Sequence, residues 1–595
     1  MKRFEALDIE TYVENNLVKP LAVAITNNDE VHYFLSIDEK SSDLINFIKI
    51  NCKSSKIYYV HNLTFEAFVL ADVLKKNFVD YSIFSTNGIV YSMVLHFFEK
   101  NIVLKCSYRL TMLSLKDFGK LIHKKKGIFP FKILKKPLPK IIKLKAEDFI
   151  NNDEYNLFLK QRGLVVNVHD QLKSYCIQDV LITKQGVLKF LEILKNYFPE
   201  IKMIPLTASS LAIKIFFKKA GLLKKRIKKS DDLLIRQSYY GGRCEVFGNL
   251  RHNETALHFD FKGMYAQCML EKIPCGELKC SEFFKDFNVP GFYLIDFFQN
   301  MQIPVLPYKH NDGLFFLNGV QRGWYWFEEI NLFLEMGGTI IKVNQAVYFD
   351  FYEQELSNFV NSNNEIRGLG EIENLIGKNN NNTFYGRLGM NPLCTHDIIS
   401  GFPPNNGEEF KKINGSFVIQ KKSERSVANV SVAAAITSKA RIKLYKGMES
   451  VQNEGGRLLY CDTDSIVVAF EKTLINSKLD KKIGEIYFDS RRADTVVIDA
   501  VFALPKTYAV ILQNKTEIIK VKGFNNNNIR FLKFKWLFNN SIHFSMPSHS
   551  FLKSEFSLYS INSLKQTDLT ALRKRIWNYD KTSASPKNIV DLSNL

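Results

Sequence analysis

The stretch Leu458-Leu459-Tyr460-Cys461-Asp462-Thr463-Asp464-Ser465-Ile466-Val467-Val468-Ala469-Phe470 decides how the region around it folds. Two apolar runs rich in β-branched and aromatic residues flank a short polar segment, which predicts two strands joined by a tight turn. Asp462 and Asp464 are then held one residue apart at the tip of a hairpin. Like charges so close repel, and each is costly unless a cation lies between them. A divalent metal is the usual answer, because Mg²⁺ takes hard carboxylate oxygens and substrate phosphates. A β-turn in which Asp and Ser supply only turn chemistry reads the same residues, so the rest of the chain decides.

Working outward, His258-Phe259-Asp260-Phe261-Lys262-Gly263-Met264-Tyr265 supplies a third carboxylate. Ala256, His258 and Asp260 share one strand face, and the chain turns directly afterwards. In Lys378-Asn379-Asn380-Asn381-Asn382-Thr383-Phe384-Tyr385-Gly386, helical spacing puts Lys378, Asn382 and Tyr385 on one stripe. That stripe offers a cation for phosphates, an amide, and a ring for a base or sugar. Four consecutive asparagines are poor helix formers, so a polar loop competes with the helix. In a strand Lys506 and Tyr508 share a face, suited to gripping a phosphate and a sugar. Tyr239-Tyr240-Gly241-Gly242-Arg243 follows a basic cluster (Lys218, Lys219, Lys224, Lys225, Arg226, Lys228, Lys229), and its glycines permit close backbone approach to a ligand.

The N-terminal part holds a second carboxylate set. Asp8 and Glu10 lie two apart on a predicted strand and project from one face. Glu66 falls in the first turn of a helix predicted from Phe65, Val69 and Val73, with Asn62 as its cap. Tyr175 and Asp179 share a helical face four residues apart. Asp8, Glu10, Glu66 and Asp179 with Tyr175 have the composition of a two-metal hydrolase site, in which the tyrosine positions the attacking water. From Lys116 to Lys145 runs a belt of eleven lysines in which Asp117 is the only acid. Interleaved aromatics and prolines suit a surface that tracks a single-stranded backbone, and equally a solvated loop.

Length and charge bound the rest. At 595 residues the chain exceeds one core, and +20 formal charge with pI ≈ 9.2 favours a polyanionic partner. No apolar run approaches membrane length, so no membrane partner is expected. Nine scattered cysteines without a Cys-x-x-Cys pair indicate free thiols rather than disulfides or zinc. The N-terminus has no signal core, and its acids are foreign to a transit peptide.

In order and separation this set resembles family B DNA polymerases, specifically the protein-primed organellar and viral branch found in bacteriophages and mitochondrial linear plasmids. Asp260 to Tyr265 is similar to the first polymerase motif, Lys378 to Gly386 to the second, and Tyr460 to Ser465 to the third. Lys506 to Tyr508 looks like the family's Lys-x-Tyr element, Tyr239 to Gly242 its Tyr-x-Gly-Gly element, and Ser114-Leu115 its Ser/Thr-Leu element. The N-terminal carboxylates look like the three exonuclease motifs.

The resemblance implies an α/β (α+β) multidomain fold: an RNase H-like 3′–5′ exonuclease domain over 1–190, then a right-hand polymerase. Palm is expected at 191–270 and 426–524, fingers at 356–393, thumb at 525–595, and terminal-protein-region-like insertions at 271–355 and 394–425. It implies that Asp260 and Asp464 bridge two Mg²⁺ with Asp462 assisting, that Lys378, Asn382, Tyr385 and Tyr265 bind the nucleotide, and that Tyr265 blocks a ribose 2′-hydroxyl. Two divalent ions at Asp8, Glu10 and Asp179 are implied for editing, with Mn²⁺ as a substitute. DNA contacts are implied for Asn62, Phe65, Ser114, Leu115, Tyr239, Gly241, Gly242, Arg243, Thr463, Lys506 and Tyr508.

Three motifs depart from the family pattern: Glu66 stands where Asp is usual, Lys262-Gly263-Met264 precedes Tyr265 in place of Asn-Ser-Leu, and Thr383 replaces Ser. The expected function is a DNA-directed DNA polymerase with 3′–5′ proofreading; a polymerase without editing and a decayed nucleic-acid-binding protein are the alternatives. Template and primer DNA, dNTPs and a separate terminal priming protein are the implied partners of a monomer. The chain reaches its first motif within ten residues, so no priming domain is expected upstream, unless the chain is a piece of a longer product. The lack of a presequence fits a mitochondrion carrying a linear plasmid, or a virus-infected host cell.

Overall fold

Three sheets organise the computed structural model. It describes residues 4–592 except 29, 37–40, 135–136, 150–151, 220–228, 282–285, 405–407, 414–415, 425–428, 473–489, 492–495, 524–528, 541–543, 555–556 and 570–573. Lys224, Lys225, Arg226 and Lys228 of the second basic cluster lie outside the described residues, as do Lys135 and Lys136 of the belt and Asn525 to Asn528.

The first sheet starts from β1 (Phe4–Glu14) and β2 (Leu17–Asn27), joined by Asn15 and Asn16, both in the left-handed region with φ 50 and 64. Asn tolerates that conformation, and the turn matches the twist of the strands. β3 (Glu30–Leu35) flanks β2. On the other side β1 runs parallel to β4 (Ile57–Val60), and β4 parallel to β7 (Lys100–Cys106); β6 (Ile89–Phe97) and β5 (Asp80–Thr86) complete the order. Period-2 alternation sorts β1. Leu7 and Ile9 join one core with helix Thr64–Lys76, while Ala6 and Tyr12 join another with the long helix Val168–Tyr197. Asp8 and Glu10 share the parity of Ala6 and so face the long helix.

This sheet continues past the N-terminal region. The strand Leu393–Ser400 pairs antiparallel with β5, Asp397 opposite Ser85, and carries Ser416–Glu424 and Lys411–Ile413 beyond it. At the far flank Leu17 of β2 pairs with Tyr559 of the hairpin Phe544–Ser554/Ser557–Thr567. The region 394–425, expected as an insertion, thus adds strands to the first sheet.

The second sheet has the hairpin at its centre. Arg457–Asp462 and Ser465–Glu471 pair as predicted, with Glu254–Asp260 next and Val497–Leu504, Thr507–Leu512 and Glu517–Lys520 outside it. The helix Val430–Asn453 packs behind, burying Val432, Ile436, Leu444 and Met448 in one core with Ile466 and Val468. The third sheet (Ile273–Ser281, Thr339–Glu353, Gly291–Gln299, Gly319–Trp326) lies in the 271–355 region and holds the helix Phe327–Glu335. Residues near the C-terminus reach back: Ser583 bridges Gly248, and Asn588 bridges Asn318.

Two local expectations are corrected, and the loop that competed with the asparagine-rich helix is set aside. Asn62 does not cap its helix: Leu63 stands at the N-cap, and Asn62 sits at φ 63 with an exposed side chain. Lys506 is not in a strand but in the turn before Thr507–Leu512, at φ 62. The four asparagines do not form a loop; they lie inside the helix Glu371–Leu388. Asn380 and Asn381 are buried against the helix Ser357–Arg367, where Asn363 accepts from Asn380 at 3.1 Å and donates to Asn381 at 2.9 Å. These bonds offset the weak helix propensity. Gly377 permits the approach, since a Cβ there would meet the Asn363 carbonyl oxygen at 2.5 Å.

Candidate active sites

The first site is built by strand register. Asp260 pairs with Ser465, so the end of one strand meets the tip of the hairpin. The Phe261 amide donates to the Asp464 carbonyl at 2.8 Å and fixes that alignment. Thr463 takes the left-handed conformation (φ 63) that the two-residue turn demands, and its amide donates to the Arg243 carbonyl at 2.7 Å. Three carboxylates thus converge on a cleft of about 450 Å³ that also takes in His258, Lys506 and Tyr508.

The carboxylates are not equivalent. Lys506 Nζ lies 3.0 Å from both oxygens of Asp462, and the Tyr460 hydroxyl approaches one of them at 3.4 Å. Asp464 is held above the usual carboxylate range by burial and by Asp260 and Asp462, with the Lys378 ammonium acting in the opposite sense. Asp462 is therefore ion-paired with Lys506, whereas Asp464 and Asp260 repel one another. Facing them, the helix Glu371–Leu388 exposes Lys378 and Asn382 and leaves Tyr385 half-buried. Tyr385 stacks on Tyr265 with ring centroids 4.1 Å apart and planes at 16°. Gly242 closes the back: a Cβ would sit 2.8 Å from Thr463 Cγ2 and 3.2 Å from the Tyr265 hydroxyl.

The second site lies between β1 and the long helix. Ligand oxygens of Asp8, Glu10 and Asp179 all fall within 4.8 Å of one another. Burial, then the charge of Asp179, pushes Asp8 up to about 7, against the pull of Lys126. Glu10 is driven well up by burial, Asp8 and Asp179, and Glu66 by burial and Asp8. Glu66 is buried beside the triplet rather than within it, and its Oε2 has no hydrogen-bond partner, as is also true of Asp179 Oδ1. Tyr175 is buried against Phe129 and Phe131 on the same face as Asp179, which raises its hydroxyl pKa after burial itself.

Both carboxylate sets pass the chemical test for hard divalent cations. Each gathers mutually repelling oxygens in a part-buried setting with orphaned acceptors or raised pKa values, which Mg²⁺ or Mn²⁺ would relieve.

Other expected residues are placed less simply. Ser114 caps the helix Leu115–Leu121, accepting from the Asp117 amide at 3.2 Å, and remains exposed; Leu115 is half-buried against the core. Phe65 is half-buried, Gly241 faces open space, and Tyr239 packs on Gly389. Arg243 corrects an expectation. It is 2% exposed, paired with Glu245 and stacked 3.9 Å over Phe316, so its guanidinium is not offered to a nucleic acid.

Lys126 was not singled out by sequence. Its ammonium lies 3.7 Å from Asp179 Oδ2 and over the Tyr175 ring, but nothing in its spacing separates it from the ten other lysines of the belt. Asn363, Glu329 and Arg441 also escaped notice, being polar residues in otherwise ordinary helices.

The sequence matches the family model described as DNA polymerase type B, organellar and viral, over residues 49–466. A protein of Podospora anserina named "Probable DNA polymerase" is 25% identical over 490 residues, which make up 71% of this chain and 39% of the relative. The chain thus spans about two fifths of that relative's length. The fold is similar to that of Phi29 DNA polymerase complexed with single-stranded DNA, with TM-score 0.69 and 16% identity over 95% of this chain and 100% of that chain. The ternary complex of that polymerase with primer-template DNA and incoming nucleotide gives the same TM-score and coverage at 17% identity.

Proposed function

This chain belongs to the organellar and viral type B DNA polymerases, and on that premise we propose that it extends a DNA primer by template-directed nucleotidyl transfer and edits it by 3′–5′ hydrolysis. The observation that carries the reading is the register of Asp260 against Ser465, with Asp462 and Asp464 at the adjoining turn and the Lys378–Tyr385 stripe facing them.

Asp260 and Asp464 would hold two divalent ions, Mg²⁺ by preference, and Asp462, restrained by Lys506, assists. When bound, such ions activate the primer 3′-hydroxyl and neutralise the triphosphate and departing pyrophosphate. Lys378 adds a fixed positive charge where phosphate charge develops. Tyr385 and Asn382 orient the incoming dNTP, and Tyr265, stacked on Tyr385, crowds the place of a 2′-hydroxyl. Tyr508, packed on Tyr460, holds the primer end with Lys506. Thr463 and the Tyr239–Gly242 loop line the path of the strand. At the second site Asp8, Glu10 and Asp179 would bind the ions, Glu66 adds a nearby carboxylate, and Tyr175 orients water. Divided in this way, residues 1–190 edit, 191–270 and 426–524 form the palm, 356–393 the fingers and 525–595 the thumb.

We further propose a separate terminal protein as primer donor, a linear template, and a monomer acting in a mitochondrion or an infected cell. The test is extension on a long single-stranded circle with Mg²⁺, dNTPs or NTPs, with and without a candidate priming protein. Asp464→Ala should abolish extension and leave DNA binding. Asp8→Ala should abolish digestion of a labelled single strand and leave extension. Normal extension by Asp464→Ala would falsify the reading.

A further inference from the structure

The loop Tyr239–Arg243 touches the turn that carries Asp464, and what holds the loop lies elsewhere. Arg441, on the helix Val430–Asn453, is 4% exposed and donates through Nη1 to the carbonyls of Tyr240 at 2.8 Å and Gly241 at 3.1 Å. Its Nε and Nη2 donate to Glu329, on the helix Phe327–Glu335, in a two-pronged pair at 2.7 Å and 2.7 Å. Glu329 is 1% exposed and also accepts from Ser438 at 2.8 Å. A planar guanidinium is the side chain whose geometry serves a carboxylate and two carbonyls together.

The 271–355 region supports the loop at further points. Tyr325 stacks on Tyr240 with centroids 5.5 Å apart and planes at 17°. The Pro304 carbonyl accepts from Arg243 Nη1 at 2.8 Å, and Phe316 lies under the same guanidinium. From the loop, Gly242 lies so close to Thr463 and the Tyr265 hydroxyl that a Cβ would have no room, and the Arg243 carbonyl receives the Thr463 amide. An unbroken line of contacts therefore runs from Glu329 to the turn that holds Asp464.

We propose that Glu329 and Arg441 are positioning residues for nucleotide addition: their ion pair sets the height of the Tyr239–Arg243 loop, and the loop sets the place of the Asp464 turn and Tyr265 relative to Asp260. The inference rests on the polymerase reading. It makes the 271–355 region the seat of the catalytic hairpin rather than an appendage to it.

The decisive variant is the pair Glu329→Met with Arg441→Met, because replacing both members of a buried ion pair by apolar residues of similar volume is often tolerated by the fold. The expected result is a folded protein whose melting temperature falls only by the cost of leaving the Tyr240 and Gly241 carbonyls without the Arg441 donor. Its kcat for nucleotide addition, at saturating primer-template and dNTP, falls on the order of 10²-fold, as displaced catalytic groups do. Digestion of single-stranded DNA, which uses the other site, stays at the parent's rate. A pair variant that extends at the parent's kcat overturns the proposal and leaves the ion pair a purely stabilising one. If the pair variant does not fold, Arg441→Lys is judged by the same kcat. It keeps the charge but cannot serve a carboxylate and two carbonyls, so parent-like extension again overturns the proposal. A parent protein that never extends a primer with Mg²⁺ would sink the polymerase reading instead.

Discussion

Replacing Asp8 with Asn removes one ionisable group from the N-terminal carboxylate cluster while keeping its shape. Burial, followed by the charge of Asp179, moves the Asp8 carboxyl from 3.8 up to about 7. A carboxyl with a raised native pKa stabilises the fold in its protonated form. That contribution is full below about pH 4 and is lost as pH rises through 7. Three pK units correspond to about 4 kcal/mol at 1.36 kcal/mol per unit. About 2–3 kcal/mol of this falls between pH 5 and pH 8. Asp8 keeps some contact with solvent, so these are upper values. In a chelator, Asp8→Asn should therefore gain on the parent by up to about 2–3 kcal/mol on going from pH 5 to pH 8. Native-state hydrogen exchange of the β1 amides reads that local stability without requiring a two-state protein. Magnesium at a hundred times its Kd should restore about 2.7 kcal/mol to the parent and much less to the variant. A parent–variant difference that does not change between the two pH values in chelator would refute the electrostatic account. Equal stabilisation of both proteins by magnesium would refute the assignment of Asp8 as a ligand.

Three further outcomes follow from the geometry. Asp464→Asn should lower kcat for extension by about 10³-fold, and Asp462→Asn by clearly less, since Asp462 is already paired with Lys506; equal losses in steady-state extension would contradict the asymmetry. Gly242→Ala places a methyl 2.8 Å from Thr463 Cγ2, so extension should fall on the order of 10²-fold while single-strand digestion is kept; parallel assays of the two activities decide it. Asn363→Ala strips both buried amides of Asn380 and Asn381 of their partner and should cost about 1–3 kcal/mol for each stranded group, read by urea unfolding.

What could be read from sequence was local. The hairpin Arg457–Asp462/Ser465–Glu471 is legible because two apolar runs of strand composition flank a two-residue polar turn. Asp8 and Glu10 are legible because a period of two fixes their common face. Tyr175 with Asp179, and Lys378 with Asn382 and Tyr385, follow the helical period in the same way. Long-range pairing leaves no such trace. Nothing near Asp397 announces that its strand will lie beside Ser85, more than three hundred positions earlier. Arg243 sits next to a glycine pair and looks available, yet Glu245, two residues on, holds it inside. Lys506 reads as a strand residue because Thr507–Leu512 follows at once, but the turn claims it and turns its ammonium to Asp462. The asparagine run misleads for a related reason: propensity describes an isolated helix, whereas Asn380 and Asn381 are satisfied by a second one.

A fragment ending near residue 205 would retain β1 to β7 and the long helix, and with them every carboxylate of the N-terminal site. It would also strip the sheet of its neighbours. Ser82, Ile83, Phe84 and Ser85 would lose the strand that pairs with them, and Leu17 would lose its partner Tyr559. Bare strand edges recruit other strands, usually from another copy. Such a fragment should self-associate more strongly than the full chain, and an extra strand or a charged substitution along β5 should relieve it. The two carboxylate sites are thus built on a scaffold that a protease or a truncation does not cleanly divide.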